Sequence, residues 1–188
     1  MVRLITIAGM LAMLSLTARA EERVLFDFDK PDSGQRWRVV NDGVMGGRSQ
    51  GRFKINDEQQ LEFFGNLSLA NNGGFASIRV AAGKLAMQPG DAILIRVRGD
   101  GRQYNLNLYT QRNLGGYSYR LAFPTRKDEW ITVRLPVDNF VATWRGRVFP
   151  DVRFDPRQVT GLGILLGDKK AGPFDLEVDW IKVQSPGE

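Results

Sequence analysis

The chain has 188 residues and a formal charge of +5, and it contains neither cysteine nor histidine. Those absences exclude a disulfide framework, Ser-His-Asp and Cys-His catalysis, the common zinc sites and histidine acid–base chemistry. The basic residues are scattered through strand-like segments rather than clustered, which argues against nucleic acid as the partner.

In chain order, Arg3, an apolar run over residues 4–16 and the small residues Ala18 and Ala20 predict a secretory signal peptide, residues 1–20, cleaved after Ala20. The run is shorter than the ~20 residues that a membrane span needs. Removing this leader, with its two arginines, leaves 168 residues and a charge of +3, which suits one domain over 21–188 in a periplasmic or secreted protein. No later stretch is apolar and long enough to cross a bilayer.

Short segments rich in branched and aromatic residues then recur between Gly, Asn, Asp and Pro: "RVLFDF" (23–28), "GRFKI" (51–55), "QLEFF" (60–64), "FASIRV" (75–80), "AILIRVR" (92–98), "QYNLNLYT" (103–110), "YSYRLAF" (117–123), "WITVRL" (130–135), "LGILLG" (162–167) and "FDLEVDWIKV" (174–183). In the sixth, Tyr104, Leu106 and Leu108 face one way while Asn105, Asn107 and Tyr109 face the other. Many short strands without long amphipathic helical windows predict an all-β protein, an antiparallel β-sandwich or jelly roll. Helical turns are expected only in "VDNFVATWRGR" and "DPRQV".

In the last segment the apolar parity changes between Val178 and Ile181, which predicts a β-bulge near Asp179 and Trp180 that re-aims Asp179. With Asp27 and Asp29 on the first strand, Asp179 is a candidate ligand for a structural calcium ion; the competing reading is three solvated carboxylates. No other cofactor is expected.

Three glycine-bearing polar segments stand out: "NDGVMGGRSQG" (41–51), "NNGG" (71–74) and "RGDGRQY" (98–104). Each can serve as a tight turn. A P-loop is excluded because no Gly-Lys-Ser/Thr follows, and no helical pattern supports a dinucleotide fingerprint. Val44 and Met45 exceed what a turn needs. They either fold back onto the core, the commoner outcome, or form a small outward apolar contact.

These blocks, in order with "WRVV" (37–40), "FFGNLS" (63–68), "NNGGFASIR" (71–79), "FVATWRGR" (140–147) and "GPFDLEV" (172–178), closely resemble the complex I intermediate-associated protein 30 family over nearly the whole mature chain. The resemblance implies a galactose-binding-like jelly roll, a fold shared with many carbohydrate-binding modules. It also implies a non-enzymatic, chaperone-like role of the kind the mitochondrial member plays in assembling respiratory complex I. It supplies no catalytic residues. Its matching positions are Asp42, Gly43, Val44, Met45, Gly46, Gly47 and Ser49, with Gly73, Gly74, Phe75, Arg98 and Asp100 in secondary blocks. An export signal departs from that role, because the peripheral arm of bacterial complex I faces the cytoplasm.

Three functions compete. The first is a binding module for another protein, such as a membrane complex, through the glycine loop; an exposed Val44–Met45 patch would favour it. The second is a carbohydrate-binding module whose face carries Asn105, Asn107, Tyr109, Gln111 and Arg120, and a groove lined by Tyr109, Tyr117 or Trp144 would favour it. The third is a glycosidase, which needs a carboxylate pair that spacing alone does not identify.

Overall fold

Every alternating segment has one face that must leave water, and stacking those faces yields two antiparallel sheets. The computed structural model describes residues 21–30, 32–110 and 116–187. Their strands are β1 (Glu22–Phe26), β2 (Trp37–Val39), β3 (Gln50–Ile55), β4 (Leu61–Leu67), β5 (Ala76–Ala81), β6 (Ala92–Gly99), β7 (Gln103–Thr110), β8 (Ser118–Pro124), β9 (Trp130–Pro136), β10 (Val141–Trp144), β11 (Arg147–Val148), β12 (Val159–Leu166) and β13 (Gly172–Gln184). One sheet runs β3-β4-β13-β6-β9 with β1 paired to β13, and the other runs β11-β10-β8-β7-β12-β5-β2. The antiparallel sandwich predicted from the alternation is therefore the architecture observed.

The core lies between the sheets. Tyr104, Leu106 and Leu108 of β7 and Leu162, Ile164 and Leu166 of β12 are buried from one side. Ile93, Ile95 and Val97 of β6 and Phe174, Leu176 and Val178 of β13 are buried from the other.

Strand β13 bends as its parity requires. Its register against β6 shifts between Val178 and Trp180, so Asp179 is the extra residue, and Ile181 and Val183 return to the core. Before the bulge β13 pairs with β4, and after it with β1.

The candidate calcium ligands are arranged differently from the expectation. Strand β1 ends at Phe26, so Asp27 and Asp29 lie beyond it, and Asp179 forms an ion pair with Arg96 at 3.0 Å. Among the described residues no group of three or more His, Cys, Asp or Glu is placed to hold a metal ion.

Strands β2, β10 and β11 lie outside the segments expected to be extended. Val137–Asn139 forms the anticipated 3₁₀ turn, but the chain then makes a hairpin in which Trp144 pairs with Arg147. Arg145 (φ 47°) and Gly146 (φ 78°) form its two-residue turn, a left-handed pair more often written Asn-Gly, so the sequence signal for this hairpin is faint. Pro156–Gln158 supplies the other anticipated turn, but Asp42–Met45 and Ala70–Asn72 are further 3₁₀ turns outside the two expected stretches.

The outward positions of β12 shape the functional face. A Cβ at Gly163 would meet the Ile78 carbonyl oxygen at 2.5 Å and Arg79 Cγ at 3.0 Å, and one at Gly161 would meet the Val80 oxygen at 2.6 Å. These two buried glycines thus let β5 and its Arg79 side chain pack closely against β12 in the middle of the seven-stranded sheet.

Candidate binding groove

The glycine loop is built around one carboxylate. Asp42 opens a 3₁₀ turn, Asp42–Met45, and is completely buried. Its Oδ1 accepts the Ser49 N–H at 2.9 Å; its Oδ2 accepts the Ser49 hydroxyl at 2.6 Å, the Gly74 N–H at 2.7 Å and the Phe75 N–H at 3.3 Å. Burial opposes the charge, but these hydrogen bonds outweigh it and hold the carboxyl below its ordinary pKa. Asp42 thereby ties the 41–49 loop to the 70–75 loop, and Asn71 Nδ2 adds a second tie by donating to the Gly46 carbonyl at 3.2 Å.

The glycines have separate reasons. A Cβ at Gly47 would lie 2.3 Å from Asp42 Cγ, and one at Gly73 would lie 2.5 Å from Asp42 Oδ2, so both leave room for the carboxylate. Gly46 is needed for its backbone, at φ +88°. A Cβ at Gly43 would meet no atom within 4 Å, and its φ is not positive, so it answers neither demand.

Asp42, Gly47, Ser49 and Gly73 are therefore the frame of the loop. What the frame presents is Val44 and Met45, 75% and 55% exposed. The fold-back expected as the commoner outcome does not occur, because the short 3₁₀ turn is anchored at Asp42 and its far side faces solvent.

Beside this loop, the outer face of the seven-stranded sheet holds a groove of about 490 Å³. Met45, Gly73 and Gly74 line one end, Tyr109, Tyr117 and Trp144 supply aromatic surface, and Arg79, Asn107 and Arg120 also line it. Arg79, Asn107 and Arg120 belong to one cross-strand row of the sheet: Arg38 opposes Arg79, Arg79 opposes Gly163, Gly163 opposes Asn107, and Asn107 opposes Arg120. Arg120 Nε donates to Asn107 Oδ1 at 3.0 Å, and Asn107 Nδ2 donates to the Tyr109 hydroxyl at 3.4 Å. The Arg79 guanidinium lies 5.2 Å from the centre of the Tyr109 ring, and that of Arg145 lies 4.9 Å from the Trp144 ring. Burial pushes the Arg120 guanidinium below its usual pKa; Tyr109 opposes the shift and Arg79 adds to it.

The groove unites the two faces that the sequence leaves as alternatives, the glycine loop and the Asn107–Tyr109–Arg120 surface. Asn105 shares the outer face of β7 but does not line the groove, and Gln111 lies outside the described residues. Arg98 and Asp100 belong elsewhere. Arg98, on β6 of the other sheet, bonds to Glu177 and stacks 5.0 Å from Trp130. Asp100 accepts from Arg102 N–H at 3.0 Å, Tyr104 hydroxyl at 3.1 Å and Asp175 N–H at 3.1 Å, so it fastens the β6–β7 turn. Arg79, Arg145 and Leu165 also line the groove, and sequence reasoning does not single them out. Arg79 closes the block "NNGGFASIR" and has outward parity in "FASIRV", but any wet sheet face shares that parity.

Chemically, the groove offers guanidinium donors, an amide and aromatic faces, and none of its described lining residues is Asp or Glu. Such a surface recognises planar polar or anionic groups.

Comparison with known proteins agrees with this architecture. Complex I intermediate-associated protein 30, mitochondrial, from Mus musculus is 28% identical over 186 residues, covering 87% of this chain and 56% of that protein. Its Drosophila melanogaster counterpart is 27% identical over 191 residues, covering 87% and 63%. The chain spans just over half the length of these curated relatives. Among solved structures, the family 11 carbohydrate-binding module from Clostridium thermocellum in complex with a β-1,3-1,4-mixed-linked tetrasaccharide matches with a TM-score of 0.66 at 14% identity, covering 89% of this chain and 97% of that one. At that identity the likeness concerns the fold, a β-sandwich. The model of the family described as complex I intermediate-associated protein 30 matches residues 26–178, from the end of β1 to the bulge of β13 and through every residue of the Asp42 knot. The chain belongs to the complex I intermediate-associated protein 30 family.

Proposed function

We propose that this protein is a non-catalytic recognition module that holds another protein, as an assembly factor or chaperone does. The observation that carries this reading is the exposed Val44–Met45 pair on the frame built by Asp42, at the rim of the groove. Apolar side chains on a pre-ordered frame lose little freedom on binding and make effective anchors. The names of the relatives suggest a subunit or intermediate of complex I as the partner. The leader pattern in residues 1–20 supports export to the periplasm, which would limit the partner to surfaces outside the cytoplasm, whereas the relatives are named as mitochondrial. A recovered N-terminus at Glu21 supports export, and an intact Met1 in the cytoplasm overturns it.

The test is cross-linking and affinity purification from membranes with the wild-type protein and with Met45→Ser. The expected result is a partner that is captured by the wild type and lost with the variant, whose melting temperature is unchanged. Equal capture by both proteins would sink this reading of the loop.

A second reading, carbohydrate binding, is favoured by Tyr109, Tyr117 and Trp144 standing beside Asn107 and Arg120 in the groove. Calorimetric titration with neutral β-glucans and galactans decides it. Saturable binding lost in Trp144→Ala supports the sugar, and no heat at millimolar ligand removes it.

A further inference from the structure

Among the described residues five arginines are neutralised: Arg96, Arg98, Arg102, Arg126 and Arg157 each form an ion pair with Asp or Glu. Neither Arg79 nor Arg120 forms an ion pair among the described residues, and unlike the other unpaired arginines there, which are exposed, these two are half-buried in the groove. Buried Arg79 Nε has no hydrogen-bond partner among the described residues. Arg120 uses Nε on Asn107, and its remaining donors have no partner among the described residues. Arg38, directly opposite Arg79 on β2, places a third like charge in the row. Like charges directly opposite each other destabilise a sheet, and burying cations without counterions costs more still. The Tyr109 stacking and the Asn107 hydrogen bond leave this positive charge without a counterion, and a site that awaits an anion supplies one.

We propose that the groove is a carboxylate-recognition site in which Arg79 and Arg120, converging on Asn107 and Tyr109, take an aspartate or glutamate side chain from a bound protein segment. This rests on the protein-binding reading. Gly163, between the two arginines in the row, leaves the place of its missing Cβ to the Arg79 side chain, whose guanidinium stacks on the Tyr109 ring. A carboxylate in the groove gains charge-assisted, fork-shaped hydrogen bonds from planar guanidinium groups. The source is a protein segment rather than an acidic glycan because the groove runs into exposed Met45 and its neighbour Val44. Aliphatic residues flanking the acid would bury that surface, which a hydrated sugar acid has little use for.

The purified full chain is used to select from a phage-displayed library of random dodecapeptides, and selected peptides are synthesised and titrated by fluorescence anisotropy. The variants are Arg79→Gln, Arg120→Gln, Met45→Ser and, as a control, Lys84→Gln, an exposed residue away from the groove. The expected result is that the selected peptides carry an Asp or Glu whose change to Asn or Gln weakens binding about 30-fold. Arg79→Gln and Arg120→Gln should weaken the acidic peptide similarly but leave the amide peptide unaffected, while Lys84→Gln changes nothing. Both arginine variants should melt at or above the wild-type temperature, which separates lost binding from lost folding. Peptides that bind through Met45 without needing an acid would overturn the carboxylate site and leave the protein-binding reading standing. If no peptide is selected while oligogalacturonate binds and Arg120→Gln abolishes it, the protein segment is overturned together with that reading. Failure of both probes overturns the proposal.

Discussion

A Cβ on Gly47 would lie 2.3 Å from Asp42 Cγ, so the glycine and the aspartate of the loop are two halves of one feature: the space that the first leaves is filled by the second. Gly43, in the same loop, is a built-in control because an added methyl there meets nothing within 4 Å. Gly47→Ala is expected to cost about 1–3 kcal/mol by overpacking, while Gly43→Ala stays within about 0.5 kcal/mol of wild type. Urea denaturation of the two variants measures both. Equal losses would show that the loop needs glycine for a reason other than the carboxylate.

The depressed pKa of Asp42 ties stability to pH with a definite sign. The group holds its proton less tightly in the folded state than in the unfolded one, where Asp titrates near about 3.9. Its contribution is therefore complete above that value and is lost as pH falls through the lower folded pKa. Asp42→Asn should cost roughly 3 kcal/mol at neutral pH, because an amide cannot accept hydrogen bonds at both ends of the knot. The variant should also lose less stability than wild type on acidification from about pH 4 to pH 2, a difference read from thermal melts across that range.

Asp175 has the opposite sign. Burial, followed by Glu62, Glu177 and Asp100, pushes its carboxyl up to about 6. The folded state binds this proton more tightly, so the stabilisation is complete below the unfolded value and disappears as pH rises through about 6. The residue as a whole is solvent-exposed, so screening keeps the effect below about 1 kcal/mol. Asp175→Asn should raise the melting temperature at pH 7 and leave it unchanged at pH 4. A variant less stable at pH 7 would contradict the assignment.

Neighbouring positions on β7 test the sandwich itself. Leu106 is fully buried, whereas Asn105 points to the outer face and is half-buried. Leu106→Ala should cost about 2–5 kcal/mol, and Leu106→Asp should prevent folding. Asn105→Asp should fold with near-wild-type circular dichroism. Cooperative folding of Leu106→Asp would show that β7 does not present that face to the core.

Ten of the strands, the two-sheet class and the bulge at Asp179 are legible in the residues alone, because a half-buried strand must alternate and a change of parity must be absorbed by an extra residue. The glycine block and its family resemblance are legible too, whereas the Gly74 and Phe75 amides that Asp42 binds lie more than thirty residues away and are set by the tertiary structure. Strands of two to four residues, as in β2, β10 and β11, carry too few positions to establish a period. The groove is beyond local pattern for a different reason. Arg79, Asn107 and Arg120 come from three separate segments, and only the register through Gly163 aligns them in one row. Whether an outward arginine is a solvated charge or half of a site depends on the strand beside it, and hydrogen bonding across the sheet makes that choice.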